Sequence, residues 1–319
     1  MFPKRKAVMM SEINIAELLR QRAELESRMK LIMYDGSVDI KTINGERYLY
    51  IRKRLAGKLT SQYVDRYSEE LFALMLRQSA EARALKKSIR EIEKQLALAG
   101  YHDEAVSERV LLNLDFARAN VKSLIYDQAV LEGVSTTFPQ TETILENGKV
   151  YGVTPSDIQK IVNLKHAWEF ILDKDVISAP SDYYVLCHIA KLINEGFYEY
   201  GGRIRSVPAT IGGTSYMPPM PIEPMVKEII GSITKEDNSA IDTAVSLCLY
   251  CMKTQIFNDG NKRASVIFAN HYLIGRGDGL LVIPEKDVRE FKHLLIAYYE
   301  GRDEEKIRAF MKEVCWRKF

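Results

Sequence analysis

The sequence predicts a mainly α-helical protein in which one small antiparallel sheet interrupts the helices. Apolar residues recur at helical spacing in residues 12–33 and again in residues 66–98. Between these stretches the period changes to that of strands, with turn signals at Asn44-Gly45 and Ala56-Gly57. We therefore expect two antiparallel helices forming a stalk that carries a three-stranded β-meander.

The rest of the chain is predicted to be a second, larger helical domain. Helical patterns cover about 103–131, 155–173 and 181–196, and the region after residue 221 is helical to the C-terminus except for a polar segment and a Gly-rich stretch at 275–280. The sequence VSTTFPQTET, from Val134 on, is interpreted as an ordered loop. Residues 200–221 are interpreted as a hairpin or an extended flap. The expected boundaries are 1–102 for the first module and 103–319 for the second, because 319 residues exceed the usual single domain.

Charge and cysteine content argue against several classes of protein. The 45 Lys and Arg residues nearly balance the 43 Asp and Glu residues, so charge alone indicates neither a nucleic-acid nor a membrane partner. No apolar run approaches the ~20 residues of a membrane span, and we expect a cytoplasmic protein without membrane contact. Four cysteines are too few for a disulfide framework in this chain. Cys248 and Cys251 lie in an apolar helical run and are assigned to the core.

A polar segment, residues 255–263 (QIFNDGNKR), interrupts the most apolar region of the chain. The helices predicted on either side are apolar on nearly every face, so the segment should lie at the floor of a cleft. The second helix begins there, and its unpaired amide groups favour an anion. Gly260 allows close backbone approach, while Lys262 and Arg263 add positive charge. The segment is either a phosphate site, with Asp259 available for Mg²⁺, or an ordinary turn between helices, and the residues alone favour the turn.

The same segment resembles the signature of the Fic/Doc family, His-x-Phe-x-Asp/Glu-Gly-Asn-Gly/Lys-Arg, at every defined position except the first. The sequence GGRIRSVPATIGGTSYMPP, at about 202–220, is similar to the family's flap, a β-hairpin onto which a target segment docks as an added strand. The sequence AVLEGVSTT, within about 124–137, resembles the family's inhibitory segment. The resemblance covers about residues 104–319. It implies a Fic-type helical bundle that transfers AMP, or a phosphoryl group, from a nucleoside triphosphate to a hydroxyl of a target protein.

The resemblance also implies roles for individual residues. Gln255 occupies the position of the catalytic histidine, and Asp259, Asn261 and Arg263 complete the implied catalytic set. Asp259 would bind Mg²⁺, and Glu132 would be the inhibitory residue that blocks productive placement of ATP. The implied nucleotide-binding residues are Gly260, Asn261, Lys262, Arg263, Gly212 and Gly213.

Two positions depart from the family pattern. A glutamine at 255 can accept a hydrogen bond but cannot take a proton at neutral pH, and general-base catalysis is worth ~10²–10⁴ in rate. We therefore expect transfer to be attenuated or altered. Val266 replaces a further arginine that, in many family members, binds the γ-phosphate and pairs with the inhibitory glutamate. Without this arginine the sequence does not define the orientation of the triphosphate, so it does not distinguish AMP transfer from phosphoryl transfer. Glu132 would then contact Arg263 or Lys262 instead, or only cap a helix. Gln128 stands where the family has threonine or serine.

Several other residues remain as alternatives. His188, His271 and His293 are candidates for a replacement base by composition only, and each fits a packed or surface histidine better. The pair Glu146-Asn147 is a second match to the inhibitory motif and ranks below Glu132, because the Ala-Val-Leu before Glu132 fits a packed helix better.

The predicted meander combines basic and aromatic residues within 41–67. Its tyrosines could stack bases while lysines and arginines contact phosphates; the alternative, which the pattern favours, is a small solvated sheet whose tyrosines complete a minimal core. Either form places the module for partner contact or homo-oligomer formation. The residues concerned are Lys41, Arg47, Tyr48, Tyr50, Arg52, Lys53, Arg54, Lys58, Tyr63, Arg66 and Tyr67.

Two functions follow as competing hypotheses. The first is a Mg²⁺- and ATP-dependent transferase that modifies a protein docked at the flap. The second is a catalytically inactive protein that binds nucleotide and regulates a protein or nucleic-acid partner.

Overall fold

A computed structural model describes residues 14–55, 58–102 and 105–318. The chain divides into two compact units, Met1–Asp103 and Glu104–Phe319. Helices dominate, and the strands form two small antiparallel sheets, which confirms the mainly α-helical class predicted from the sequence.

The first unit is a helix, a meander and a second helix. Asn14 caps the first helix through its side chain, which accepts from the N–H of Glu17, and Ser68 caps the second by accepting from the N–H of Leu71. Its elements are α1 (Ile15–Leu31), β1 (Ser37–Ile43), β2 (Glu46–Leu55), β3 (Lys58–Arg66) and α2 (Glu69–Leu98).

The meander has the order β1-β2-β3, with both pairs antiparallel. Asn44 and Gly45 form the turn between β1 and β2 with φ of 53° and 83°, as the Asn-Gly signal predicts. The turn expected at Ala56-Gly57 lies outside the described residues. Arg28 on α1 pairs with Glu81 on α2 at 3.1 Å.

The second unit is built around α10, which contacts α3, α5, α6, α7, α9 and β4. Residues 263–274 of this helix are all buried. Cys248 and Cys251 are buried in the neighbouring α9, which confirms their assignment to the core. The elements are α3 (Glu108–Leu131), α4 (Phe138–Leu145), α5 (Pro155–Ile171), α6 (Lys174–Ser178), α7 (Tyr183–Ile193), α8 (Glu223–Lys235), α9 (Ala240–Thr254), α10 (Asn261–Arg276), β4 (Leu280–Leu281), α11 (Val288–Tyr299), α12 (Glu304–Glu313) and β5 (Trp316–Arg317), with a 3-10 turn at Glu285–Asp287.

The prediction of a loop from Val134 on is wrong in part, because this stretch contains the start of α4. Thr137 accepts a hydrogen bond from the N–H of Gln140, and the Gln140 side chain accepts from the N–H of Thr137. This reciprocal capping box, with Pro139 in the first turn, starts a helix of only eight residues.

The β-hairpin expected at 202–220 is not formed. The segment is extended and turns near Gly212-Gly213, but residues 202–220 pair in no ladder. Pro208, Pro218 and Pro219 have no N–H to donate, which disfavours a regular ladder. Of the two forms that the sequence allows, the structure has the extended flap.

The C-terminal residues are not helical to the end. Trp316 and Arg317 form β5, which pairs antiparallel with Leu281 and Leu280 of β4. A two-residue strand has no periodicity to recognise, and its pairing is set by the contact with β4. Among the described helices, none combines the length and the apolar content needed to pass through a bilayer.

Candidate functional site

The segment 255–263 joins α9 to α10 through two residues with left-handed backbone. Gln255 ends α9 with φ of 49°, and Gly260 caps α10 with φ of 73°. A Cβ on Gly260 would lie 2.9 Å from Ile193 Cγ2 and 3.2 Å from Asn194 Oδ1. Glycine therefore satisfies both the backbone conformation and the close approach of α7.

The side chain of Asn261 holds this loop in shape. Its Oδ1 accepts from the N–H of Phe257 at 2.8 Å, and its Nδ2 donates to the Phe257 carbonyl at 2.7 Å and to Gln255 Oε1 at 3.1 Å. The side chain of Asn261 is therefore committed to the loop, and the group it can still offer an anion is its backbone N–H.

The first turn of α10 presents positive charge. The N–H groups of residues 261–263 have no acceptor within the helix, and the helix dipole adds to their charge. Arg263 is buried and donates from Nη2 to Asp259 Oδ2 at 3.1 Å. Its Nε and Nη1 have no hydrogen-bond partner in the described part of the chain. Each buried donor without a hydrogen bond costs ~1–3 kcal/mol, so this guanidinium can donate to a further acceptor at close range.

Glu132 lies beside the same cations. It ends α3, and its Oε1 is 3.6 Å from Lys262 Nζ while its Oε2 is 3.9 Å from Arg263 Nε. The side chain is only 13% exposed. These distances are too long for hydrogen bonds, so the contact is an ion pair without direct bonding. Glu132 therefore contacts both of the residues that the sequence offers as its partners.

Gln128 fixes α3 against α10. Its Nε2 donates to the carbonyl of Arg263 at 2.7 Å, and its Oε1 accepts from Trp168 Nε1 at 3.0 Å. Both ends of this buried amide are satisfied, so Gln128 holds the helix that carries Glu132 in place.

A cavity of about 580 Å³ brings most of the predicted residues together. Its lining includes Arg205 and Tyr299, which no sequence pattern predicts. Two predicted residues, Arg263 and Gly213, do not line the cavity. Gly213 nevertheless lies next to it, because a Cβ on Gly213 would be 3.0 Å from Cδ1 of the lining residue Ile296. The residues that line the cavity include Glu132, Arg205, Gly212, Gln255, Asp259, Gly260, Asn261, Lys262, Ile296 and Tyr299.

Gln255 lies in this cavity with its side chain held at both ends. Its Nε2 donates to the Met252 carbonyl at 2.7 Å, and its Oε1 accepts from Asn261. Tyr299 lines the same cavity with its phenol oxygen buried beside Gln255. Burial raises the pKa of Tyr299, so its phenol stays protonated and can act only as a neutral donor or acceptor.

Arg205 ties the flap to the loop. Its backbone N–H donates to the Ile256 carbonyl at 2.9 Å, and its guanidinium donates to the carbonyls of Gln255, Val207, Pro218 and Pro219 at 2.6 to 3.0 Å. Desolvation lowers the pKa of Arg205, which is 1% exposed. Arginines usually lie on the surface, so the sequence gives no reason to expect a buried one here. The anchoring role of Arg205 is visible only in the structure, where carbonyls from separate parts of the chain surround its guanidinium.

The alternative residues lie elsewhere. No histidine lines the cavity in the described ranges: His188 stacks on Phe170 with ring centroids 4.4 Å apart, His271 is buried, and His293 is exposed. Glu146 ends α4 and pairs with Lys122.

The donor set suits Mg²⁺ only together with phosphate. No group of three or more His, Cys, Asp or Glu that could hold a metal occurs in the described residues. Asp259, with its side chain 47% exposed at the cavity, is a single oxygen donor of the kind that holds Mg²⁺ against phosphate oxygens. Asp259 and Arg263 thus fit Mg²⁺ and a phosphate as a pair.

Comparison with known proteins gives the class of this second unit. Residues 180–273 match the family model described as Fic/DOC family, and this range contains the flap, the loop and most of α10. The second unit therefore contains a Fic/DOC-type domain within residues 180–273. Residues 13–73 match a second family model, described as a domain of unknown function (DUF6788). No curated protein matches the chain significantly.

Solved structures of Fic proteins share the fold. A segment of Fic-1 from C. elegans matches with a TM-score of 0.53 and 18% sequence identity, covering 77% of this chain and 74% of that one. A Fic family protein from Desulfovibrio desulfuricans G20 matches with a TM-score of 0.51 and 15% identity, covering 66% of this chain and 74% of that one. At this level of identity the likeness concerns the fold.

Proposed function

We propose that the second unit binds Mg-ATP, or another nucleoside triphosphate, and transfers AMP or a phosphoryl group to a hydroxyl of a target protein. The observation that carries the proposal is the buried Arg263, whose Nε and Nη1 have no hydrogen-bond partner among the described residues, next to the amide end of α10 at an open cavity. Buried donors without acceptors are rare in native proteins, and phosphate oxygens would satisfy them.

Each residue of the cavity would contribute positioning or charge. Asp259 would hold Mg²⁺, which neutralises phosphate charge when bound. The amides of residues 261–263 would bind phosphate oxygens, and Gly260 would let them approach. Lys262 and Arg263 would stabilise the charge that develops during transfer. Such a site works mostly by positioning and electrostatics.

Gln255 limits the rate in this proposal. Its Oε1 already accepts from Asn261, and it would have to release that bond, or share the oxygen, to orient an attacking hydroxyl. It cannot take the proton, which would pass to water or to the phosphate. The enzyme would therefore be slower than one with an imidazole at this position.

Replacing Gln255 with histidine tests the proposal directly. His tolerates left-handed backbone better than most residues, so Gln255→His should fold and should raise transfer by about 10²–10⁴-fold. The measurement is label incorporation into lysate proteins from ATP labelled at either the α- or the γ-phosphate, which also separates AMP transfer from phosphoryl transfer.

A matched control uses the same substitution on the exposed surface of the other unit. Gln21→His, on α1, should leave transfer unchanged. If neither the natural protein nor Gln255→His transfers any label, and calorimetry detects no Mg²⁺-dependent ATP binding to either, the proposal is wrong.

A second candidate function is nucleotide binding without turnover. It is favoured by the bonds that hold Gln255 to Met252 and Asn261, which leave its side chain poorly placed to meet a nucleophile. Magnesium-dependent ATP binding in calorimetry, with no label transferred by either the natural protein or Gln255→His, would support this function over the first.

A further inference from the structure

The sheet of the first unit has one face that packs inward and one that does not. Leu49 and Ile51 of β2 are buried and form a cluster with Met75 of α2. Because successive residues of a strand point to opposite faces, Tyr48 and Tyr50 lie on the other face. We call this the tyrosine face, and it includes Lys41, Tyr48, Tyr50, Arg52, Arg54, Tyr63 and Arg66, the acidic residues Asp39 and Glu46, and the exposed apolar residues Ile43 and Leu59.

A β-bulge places the third tyrosine on this face. The register between β2 and β3 shifts between Leu49 and Tyr50, so that Tyr50 is opposite Tyr63. Without the shift Tyr63 would be opposite Ile51 and would point inward, because a one-residue slip reverses the side chains. The extra residue, Val64, packs against the inner cluster instead.

The three rings form one cluster that remains open to solvent. The centroid of Tyr63 is 5.7 Å from that of Tyr50 and 6.2 Å from that of Tyr48. Tyr63 is 51% exposed, so the cluster does not complete a core. The interpretation favoured by sequence alone, that tyrosines complete a minimal core, holds for Tyr67, which packs against the buried cluster, and not for the exposed ring of Tyr63.

Basic side chains surround the rings. Lys41 Nζ lies 4.0 Å from the centre of the Tyr50 ring. Arg52 pairs with Asp39 at 2.6 Å, and Arg66 lies 3.6 Å from Glu46, while Lys41 and Arg54 add two further positive charges. The face is thus positive around an exposed aromatic cluster, although the net charge of the whole chain is only +2.

We propose that the tyrosine face binds single-stranded nucleic acid, with Tyr63 stacking on a base and Lys41, Arg52, Arg54 and Arg66 contacting the phosphates. Exposed aromatic rings on a sheet with flanking positive charge are the recurring design of single-strand binding, because every base has a stacking face. The positive face complements the phosphate backbone. This inference is independent of the nucleotide chemistry of the second unit.

Fluorescence anisotropy with the full chain tests this inference. The probes are a labelled 15-nucleotide oligo-dT, the RNA equivalent and a mixed-sequence duplex of the same length. We expect either single strand to bind more tightly than the duplex, and affinity to fall between 50 and 200 mM salt as counterions are released. Tyr63→Ala should weaken binding by about 5- to 150-fold, since stacking of one base is worth ~1–3 kcal/mol.

Matched variants separate stacking from folding. Tyr63→Phe keeps the ring and should bind like the natural protein, whereas Arg54→Gln should weaken binding and flatten the salt dependence. Tyr151→Ala, at an 84% exposed tyrosine of the second unit, is the control and should have no effect. Absence of single-strand binding, tighter binding of the duplex, or a self-association in sedimentation that Tyr63→Ala abolishes would each overturn the inference.

Discussion

The negative charge of Glu132 acts on the positive charge of the candidate site. It lies within 4 Å of two cations, Lys262 and Arg263, that the proposed function assigns to phosphate. Because the side chain is mostly buried, solvent screens these interactions weakly. A bound triphosphate and the Glu132 carboxylate would compete for the same positive charge.

Removing this charge should therefore strengthen nucleotide binding. We expect Glu132→Gln, which keeps the shape of the side chain, to bind Mg-ATP about tenfold more tightly, equivalent to 1.4 kcal/mol. Calorimetry measures the affinity. The control is Glu146→Gln, at the second match to the inhibitory motif, which is outside the cavity and should leave the affinity unchanged. A gain with Glu146→Gln and none with Glu132→Gln would reverse the assignment.

The site residues that can be predicted from the sequence are those that lie together in one short motif. Gln255, Asp259 and Gly260 follow one another in a short motif, and the structure places all three at one cavity. Arg205 and Tyr299 were missed, because their importance depends on burial beside groups that are remote in the chain. The catalytic and binding roles themselves stay predictions.

The flap is the element whose conformation the sequence predicts least well. Its extended form is held by Arg205, which replaces the ladder of a hairpin with hydrogen bonds to carbonyls at both ends of the segment. The same arginine also bonds the carbonyl of Gln255, so flap and loop share one anchor.

Substituting Arg205 should free the flap. Arg205→Met keeps the aliphatic part of the side chain but leaves carbonyl groups without donors, and we expect the free energy of unfolding to fall by about 3 kcal/mol. Limited proteolysis should then cut within 206–217 faster than in the natural protein. The matched control is Arg203→Met, an exposed arginine that stacks on Tyr200 and should not change cleavage there. Equal cleavage of both variants would show that Arg205 is not the anchor.

The remaining helices and strands show which elements can be predicted from hydrophobic periodicity and turn signals. A long helix such as α2 has enough periodic positions to be predicted, and the Asn44-Gly45 signal predicts the meander. Helix α4 was missed because its eight residues depend on a capping box rather than on periodicity. Strand β5 was missed because two residues carry no period at all.

At the scale of the whole molecule, unfolding of the second unit can be followed by itself. Both tryptophans of the chain, Trp168 and Trp316, belong to that unit. Tryptophan fluorescence therefore reports its unfolding separately, which matters because a chain of two units need not unfold in one step.

Stability of this unit should depend on pH through His271. The ring is fully buried, its Nε2 donates to the Val176 carbonyl at 2.7 Å, and its Nδ1 accepts from Ser181. Desolvation lowers the pKa of His271 below its ordinary value of 6.5. Below pH 6.5 the unfolded chain therefore binds a proton that the folded protein does not, and stability falls as pH falls from 6.5 toward the lowered pKa.

Urea titrations at pH 7.5 and 5.5, followed by tryptophan fluorescence, measure this effect. The natural protein should lose more stability between the two values than His271→Gln, by up to about 1.4 kcal/mol per pH unit below 6.5. Taking the difference between the two proteins removes the contribution of carboxylates common to both. Equal losses would show that folding does not lower the pKa of His271.

The hydrogen bonds of Gln128 limit how Glu132 could move away from Lys262 and Arg263. Helix α3 cannot withdraw Glu132 from the cations without detaching the indole of Trp168 and the carbonyl of Arg263 from one buried amide. Rotation of a single carboxylate-bearing side chain breaks neither bond. Opening of the triphosphate site that we propose would therefore be a local rearrangement of rotamers, on the timescale of side chains rather than of helices, and Trp168 would keep its hydrogen bond.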